Sequence, residues 1–99
     1  MGNNNRIVNK PEEFEDYLIA GNKNSYDWSS ITFKCKMDLS EREFENVYFR
    51  NALFEKKVSF KNSTFSGNSE FIGTQFYEDA EFIRSRFIKY AKFWKAKFL

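Results

Sequence analysis

Phenylalanine recurs at a regular interval along most of this chain, and the interval limits the possible folds more than any other feature. From Phe49 to Phe98 the steps between successive phenylalanines alternate between five and six residues. Earlier in the chain, Leu39 divides the gap between Phe33 and Phe44 into steps of six and five. A fixed internal period indicates a chain built from stacked copies of one structural unit.

Neither a helix nor a flat strand can bury residues with this spacing on one face. Around an α-helix, steps of five and six rotate by about 140° and then about 240°, which separates the phenylalanines into two stripes. Along a flat strand, a step of five moves the next side chain to the opposite face. The chain must therefore turn a corner after each phenylalanine, which predicts an all-β fold of the β-solenoid type.

A second column of residues supports this prediction. The position two residues before each phenylalanine from Phe33 onward, or before Leu39, holds a small or apolar side chain everywhere except at Arg42. Stretches such as Ala80-Glu81-Phe82 and Ala91-Lys92-Phe93 resemble the pentapeptide-repeat family, in which a small residue stands two places before a central Leu or Phe. The resemblance covers residues 31–99 as thirteen consecutive units. The second column consists of Ile31, Met37, Arg42, Val47, Ala52, Val58, Ser63, Ser69, Thr74, Ala80, Ser85, Ala91 and Ala96.

The resemblance implies a right-handed quadrilateral β-helix with an inward-pointing ladder of large side chains. Alternating five- and six-residue sides, typical of a Phe-centred subtype, give a coil of 22 residues and about three coils over residues 31–99. Arg42 at an inward position predicts an irregular first coil. The predicted ladder residues, which form the structural core, are Phe33, Leu39, Phe44, Phe49, Phe54, Phe60, Phe65, Phe71, Phe76, Phe82, Phe87, Phe93 and Phe98.

The residues before the repeat are predicted to form a tail and a cap. Residues 1–10 lack an apolar pattern and are predicted to be a flexible tail. Residues 11–20 begin with Pro11 and two glutamates, as the first turn of a helix often does. Since a terminal coil exposes its stacking face, residues 11–30, with this helix and Trp28 in the following loop, are predicted to cap the solenoid.

The composition argues against enzymatic chemistry. The chain has no histidine and one cysteine, Cys35, and it shows no Gly-rich phosphate loop and no cluster with metal-ligand spacing. We therefore expect no catalytic residue, no cofactor and no metal site. A single cysteine excludes an intrachain disulfide and favours a reducing compartment, which predicts a cytoplasmic protein.

The residues that follow the ladder positions differ between the two halves of the chain. In the first half they are mostly polar or charged, as outward positions should be. In the second half they are apolar, and an apolar stripe on a solvated face indicates a contact surface. A following segment that covers the stripe is the alternative. The predicted contact residues are Ile72, Tyr77, Ile83, Ile88, Trp94 and Leu99, together with Lys92 and Lys95.

Charge is also divided along the chain. Residues 1–83 carry ten basic and fourteen acidic side chains, whereas residues 84–99 carry six basic and none that are acidic. The basic residues favour either solubility at an open end, since lysines oppose edge-to-edge stacking, or an anionic partner. The overall net charge of +2 is too balanced for a dedicated nucleic-acid binder, so nucleic acid is an unlikely partner.

These patterns favour a non-enzymatic protein-interaction or scaffold module that binds another protein or itself. No second cap follows the last repeat, so either the chain is a piece of a longer protein or another subunit covers the last coil. We expect a homo-oligomer formed through the C-terminal end, which added salt should tighten because it screens the repulsion between the basic residues of the two ends. The resemblance also implies a DNA-mimic protein that binds the topoisomerase gyrase, although such mimics are acidic. Peripheral binding to a membrane surface, through the basic and aromatic residues between Lys89 and Lys97, is the third interpretation.

Overall fold

The computed structural model describes residues 6–99, which form a β-solenoid of about four coils with four parallel sheets and one short helix. Sheet A contains β1 (Arg6–Val8), β3 (Ile31–Phe33), β7 (Leu53–Phe54), β11 (Gln75–Phe76) and β15 (Lys97–Phe98). Sheet B contains β2 (Tyr26–Asp27), β6 (Val47–Tyr48), β10 (Ser69–Glu70) and β14 (Ala91–Lys92). Sheet C contains β4 (Met37–Asp38), β8 (Val58–Ser59) and β12 (Ala80–Glu81), and sheet D contains β5 (Glu43–Phe44), β9 (Thr64–Phe65) and β13 (Arg86–Phe87).

The strand register confirms the predicted stacking and refines the length of the coil. Phe54 pairs with Phe76 and Phe76 with Phe98, which gives the expected 22 residues per coil. Phe33, however, pairs with Phe54, so the coil before Phe54 has 21 residues. It is shorter because the step from Phe44 to Phe49 has five residues, whereas the later steps at this corner have six.

The inward ladder residues stack ring upon ring along the solenoid axis. Phe71 lies between Phe49 and Phe93, with centroid distances of 4.8 Å and 4.7 Å and interplanar angles of 9° and 1°. Because the rings repeat at the spacing of adjacent strands, each phenylalanine fills the space between two coils. Burial of the predicted core is complete from Phe33 to Phe76 and partial at Phe82, Phe87 and Phe93.

Phe98 departs from the predicted core. Its ring stacks on Phe76 at 4.8 Å, but the side chain is 59% exposed. The prediction of a buried Phe98 is wrong in this structure because the outer face of its ring has no coil packed against it.

Serine and threonine in the second column satisfy backbone carbonyls inside the solenoid. The Ser63 hydroxyl donates to the carbonyl oxygen of Leu39 at 2.7 Å, and the Ser85 hydroxyl donates to that of Phe60 at 2.8 Å. Ser69 differs, because its buried hydroxyl oxygen has no hydrogen-bond partner among the described residues. Ser63, Thr74 and Ser85 thus satisfy their hydroxyls on backbone carbonyls, and Ser69 is the exception in this column among the described residues.

One corner type places its turning residue in the left-handed region of backbone space. This residue stands two places after a ladder residue, within a five-residue step, where the chain turns a tight corner through a positive φ. The five-residue step from Phe44 to Phe49 turns without one, because Asn46 does not have a positive φ. At Gly73 φ is +70°, and the non-glycine residues at equivalent corners have values of 56° to 60°. The equivalent residues are Ser30, Glu41, Asn51, Asn62, Arg84 and Lys95.

The solenoid begins earlier in the chain than the repeat pattern indicates. Residues 6–8 form β1, which pairs in parallel with β3, so the prediction of a flexible tail is wrong for this segment; the expectation for residues 1–5 lies outside the described residues. β2 pairs with β6, and Trp28 stacks on Phe49 at 4.7 Å. Trp28 is therefore a buried ladder residue rather than part of a capping loop, and residues 6–8 and 26–28 account for the coil beyond the predicted three.

The predicted N-terminal helix is present as a 3₁₀ helix at Pro11–Tyr17, three residues shorter than the predicted 11–20. It ends where Leu18 becomes extended and forms a bridge with Tyr26. Phe14 packs beneath it on Tyr26 and Trp28, and the Trp28 indole N–H donates to the Phe14 carbonyl oxygen at 3.0 Å. The helix thus covers part of the first coil.

Arg42 does not point inward as the repeat pattern suggests. Its side chain is exposed and its guanidinium lies over the ring of Phe14, 4.6 Å from the centroid. Arg42 is the first residue of its column, so no coil lies above it on that side. Its long side chain therefore extends past the end of the solenoid core to the surface, and its charge is not buried. The two later residues of this column are Ser63 and Ser85, which do point inward.

Candidate contact surface on the C-terminal half

The predicted contact residues lie on all four sides of the solenoid, within its last two coils. Ile72 and Trp94 follow strands of sheet B, and Tyr77 and Leu99 follow strands of sheet A, so Trp94 lies one coil after Ile72 and Leu99 one coil after Tyr77. Ile83 follows sheet C and Ile88 follows sheet D. The structure therefore places these residues as a ring around the last two coils rather than as one flat patch.

Most of this ring is open to solvent. Tyr77, Ile83 and Ile88 are about half exposed, and Leu99 and Trp94 are 66% and 70% exposed. Ile72 is half-buried. Because exposed apolar groups of this size are unusual when they lie close together, the ring is the main unexplained surface of the described chain.

A compact group of aromatic and basic side chains lies at the sheet B end of the ring. The Lys92 ammonium nitrogen is 4.8 Å from the centroid of the Tyr90 ring and 5.8 Å from that of Trp94. Cation–π attraction of this kind contributes about 0.5–1 kcal/mol at exposed sites and fixes the lysine between the two rings. Lys89 and Lys95 flank the group at the two corners and are exposed. We call Lys89, Tyr90, Lys92, Trp94 and Lys95 the basic strip.

Glu70 lies beside the basic strip and contacts Tyr90. The repeat pattern places it at an outward position, where an exposed side chain is expected, but the structure buries it. The Arg50 guanidinium donates to its carboxylate, with 2.6 Å between Nε and Oε1, and the Tyr90 hydroxyl donates to Oε2 at 3.5 Å. Glu70 points outward, but these neighbours leave only 6% of the residue exposed. The sequence does contain a signal for this contact, since Arg50 and Tyr90 each lie twenty residues from Glu70, close to one coil.

A polar groove of about 460 Å³ runs along sheet C and is separate from the ring. The Ser40 hydroxyl and N–H both donate to the Asp38 carboxylate and lower the pKa of that carboxyl group. Lys57 lies 3.2 Å from the Glu81 carboxylate and lowers its pKa in the same way. These two carboxylates of the groove are therefore held by neighbouring donors, Asp38 by the hydroxyl and N–H of Ser40 and Glu81 by the ammonium group of Lys57.

The cysteine and the potential metal ligands of residues 6–99 do not come together as a reactive or metal-binding site. Burial raises the pKa of the Cys35 thiol, which lies 3.7 Å from the Met37 sulfur. Within residues 6–99 no group of three or more potential metal ligands comes together. Over the same residues, no helix has the length and apolar character needed to cross a membrane.

Comparison with known proteins agrees with the geometry of the coils. Residues 49–97 match a family described as Pentapeptide repeats (9 copies). The chain is a member of the pentapeptide-repeat family, and its fold is the β-solenoid with four parallel sheets described above. No curated protein sequence and no solved structure matches the chain.

Proposed function

We propose that this chain is a non-enzymatic protein-interaction module that associates with a second copy of itself through its C-terminal half. The observation that carries the proposal is the ring of largely exposed apolar side chains around the last two coils. The equivalent positions in the earlier coils hold Lys34, Ser40, Glu45, Arg50, Glu55, Lys61 and Ser66. Since the repeat tolerates polar residues at these positions, apolar ones are a property of this end of the solenoid and favour contact.

The family fold supports a role in binding rather than catalysis. Its inward positions are occupied by stacked rings, and the outward carboxylate of Glu70 is held in an ion pair. What distinguishes one coil from another is therefore the outer surface that it presents. A free, half-buried thiol at Cys35 fits a protein of the cytoplasm.

Sedimentation velocity over a range of protein concentrations tests the proposal. We expect a dimer or larger species, and Trp94→Glu should weaken association because it places a carboxylate in the ring. Lys56→Glu is the control, since Lys56 is also exposed but lies away from the C-terminal coil. A wild-type chain that sediments as a monomer at every concentration would overturn self-association through this surface.

Binding to an anionic membrane surface is a second candidate, favoured by the basic strip. Trp94 and Tyr90 are aromatic residues of the kind found at membrane interfaces, and lysines beside them attract anionic headgroups. Co-sedimentation with phosphatidylserine vesicles tests it, with phosphatidylcholine vesicles as the control. Equal amounts of protein in both pellets would count against this candidate.

A further inference from the structure

The second copy that the proposed function requires presents a surface suited to the basic strip. The exposed side of the 3₁₀ helix carries Glu12, Glu15 and Asp16, while Phe14 faces the core. The Glu13 carboxylate is already used within the chain, because it accepts hydrogen bonds from the N–H groups of Asn9 and Lys10. Three carboxylates on the helix therefore remain directed to solvent.

The basic strip is the complement of this helix in charge. The ion pairs within residues 6–99 join Lys34 to Glu55, Arg50 to Glu70 and Lys57 to Glu81, so none involves a lysine of the strip. Glu70, the nearest buried carboxylate, is held by Arg50. The three lysines of the strip therefore have no carboxylate partner in the described chain, Lys89 and Lys95 being exposed and Lys92 half-buried beside the rings of Tyr90 and Trp94.

The helix and the strip cannot meet within one molecule. The indole N–H of Trp28 bonds to the helix, and Trp28 begins a column that continues through Phe49 and Phe71 to Phe93, next to Trp94. The strip is thus three ring spacings of 4.7 to 4.8 Å along the axis from the coil that the helix covers. A contact between them must join two chains.

We propose that the acidic helix of one copy docks on the basic strip of another, with Glu12, Glu15 and Asp16 facing Lys89, Lys92 and Lys95. This inference rests on the proposed function and names its contact. A contact between two C-terminal ends would instead bring together two segments that each carry six basic and no acidic side chains. Opposite charges across an interface select partner and orientation, so the helix-to-strip arrangement is the favoured one.

Salt separates the two arrangements. Three exposed ion pairs change an equilibrium constant by roughly 3- to 150-fold, and salt screens them over about 10 Å at 0.1 M and about 3 Å at 1 M. We expect the dissociation constant from sedimentation velocity to rise about tenfold between 0.05 M and 0.5 M sodium chloride. An association that tightens with salt would overturn the helix-to-strip contact and leave the proposed function standing.

Charge reversal provides the second test. The helix variant Glu12→Lys/Glu15→Lys/Asp16→Lys and the strip variant Lys89→Glu/Lys92→Glu/Lys95→Glu should each lose association about tenfold or more. A chain carrying all six changes should regain it to within about threefold of wild type, because the charges are complementary again. Glu41→Lys/Glu43→Lys/Glu45→Lys, three exposed glutamates outside the helix, is the control and should associate as wild type does.

The fluorescence of Trp28 reports whether the helix stays in place in these variants, since its indole is buried beneath Phe14. If the helix variant keeps a buried Trp28 and still associates with wild-type affinity, the helix is not the docking partner. If no variant and no salt concentration gives association, the inference and the proposed function both fail.

Discussion

Replacement of Phe71 by alanine tests how much a single ladder ring contributes to the solenoid. Phe71 is fully buried, stacks face to face on Phe49 and Phe93, and meets the edges of Phe60 and Phe82 at centroid distances of 6.0 Å and 5.8 Å. Truncation of a buried phenylalanine costs about 3–5 kcal/mol, because the cavity that remains separates two coils that cannot move together. Domains of this size have a total stability of about 5–15 kcal/mol, so the variant should be close to the limit of folding.

Phe98→Ala is the matched control for this experiment. Phe98 occupies the same kind of ladder position and stacks on Phe76, but only on one face and with more than half of its surface in water. We expect a loss of about 1 kcal/mol or less, in proportion to the smaller apolar area that leaves water. Urea unfolding followed by circular dichroism measures both values, since the free energy of unfolding falls linearly with urea concentration. Equal losses for the two variants would refute the view that stacking between coils supplies the stability.

Four further predictions concern individual side chains. Glu70→Ala should destabilise the chain by about 1–3 kcal/mol, since it removes a nearly buried carboxylate that accepts hydrogen bonds from the exposed Arg50 guanidinium. Glu55→Ala, at a pair whose two side chains are both partly exposed, should cost less than about 1 kcal/mol, and urea unfolding that ranks the two variants in reverse would contradict the burial of Glu70. Ser69→Ala should stabilise by about 1 kcal/mol because it removes a buried hydroxyl without a partner, and a lower melting temperature would show that this hydroxyl is bonded. Gly67→Ala should cost about 1–3 kcal/mol, because the new Cβ would lie 2.6 Å from the carbonyl oxygen of Glu45, and an unchanged melting temperature would show that the corner can widen. Cys35 should react with a thiol reagent at pH 8 more slowly than cysteine in a short peptide, since burial raises its pKa and lowers the thiolate fraction; equal rates would count against a half-buried thiol.

The spacing of phenylalanine predicts the columns of the ladder because one short repeat both forms a side and sets the next corner. The stacks from Phe33 to Phe98 and from Phe44 to Phe87 follow from it directly. Trp28 also obeys the spacing, five residues before Phe33, so a search for any large aromatic residue would have extended the ladder by one position.

Other features depend on neighbours that a local pattern does not reveal. The helix interrupts the period between Val8 and Phe33, which pair across 25 residues, so no regular step leads back to β1. Burial of Glu70 depends on side chains of the two adjacent coils, and the outward path of Arg42 depends on its place at the start of a column. The arrangement of the apolar residues as a ring rather than a patch likewise follows from which sheet each one adjoins.

Each strand pairs in parallel with the equivalent strand of the neighbouring coil, and this pairing has a mechanical consequence. A pulling force applied to the two ends would peel one coil at a time, because no hairpin joins consecutive strands within residues 6–99. Each event within the repeat should release 21 or 22 residues, or about 75 Å of extended chain. The C-terminal coil should detach first, since its rings are partly exposed, and the coil beneath the helix last. In a single-molecule force trace this chain should therefore lengthen in nearly equal increments, one for each coil that detaches.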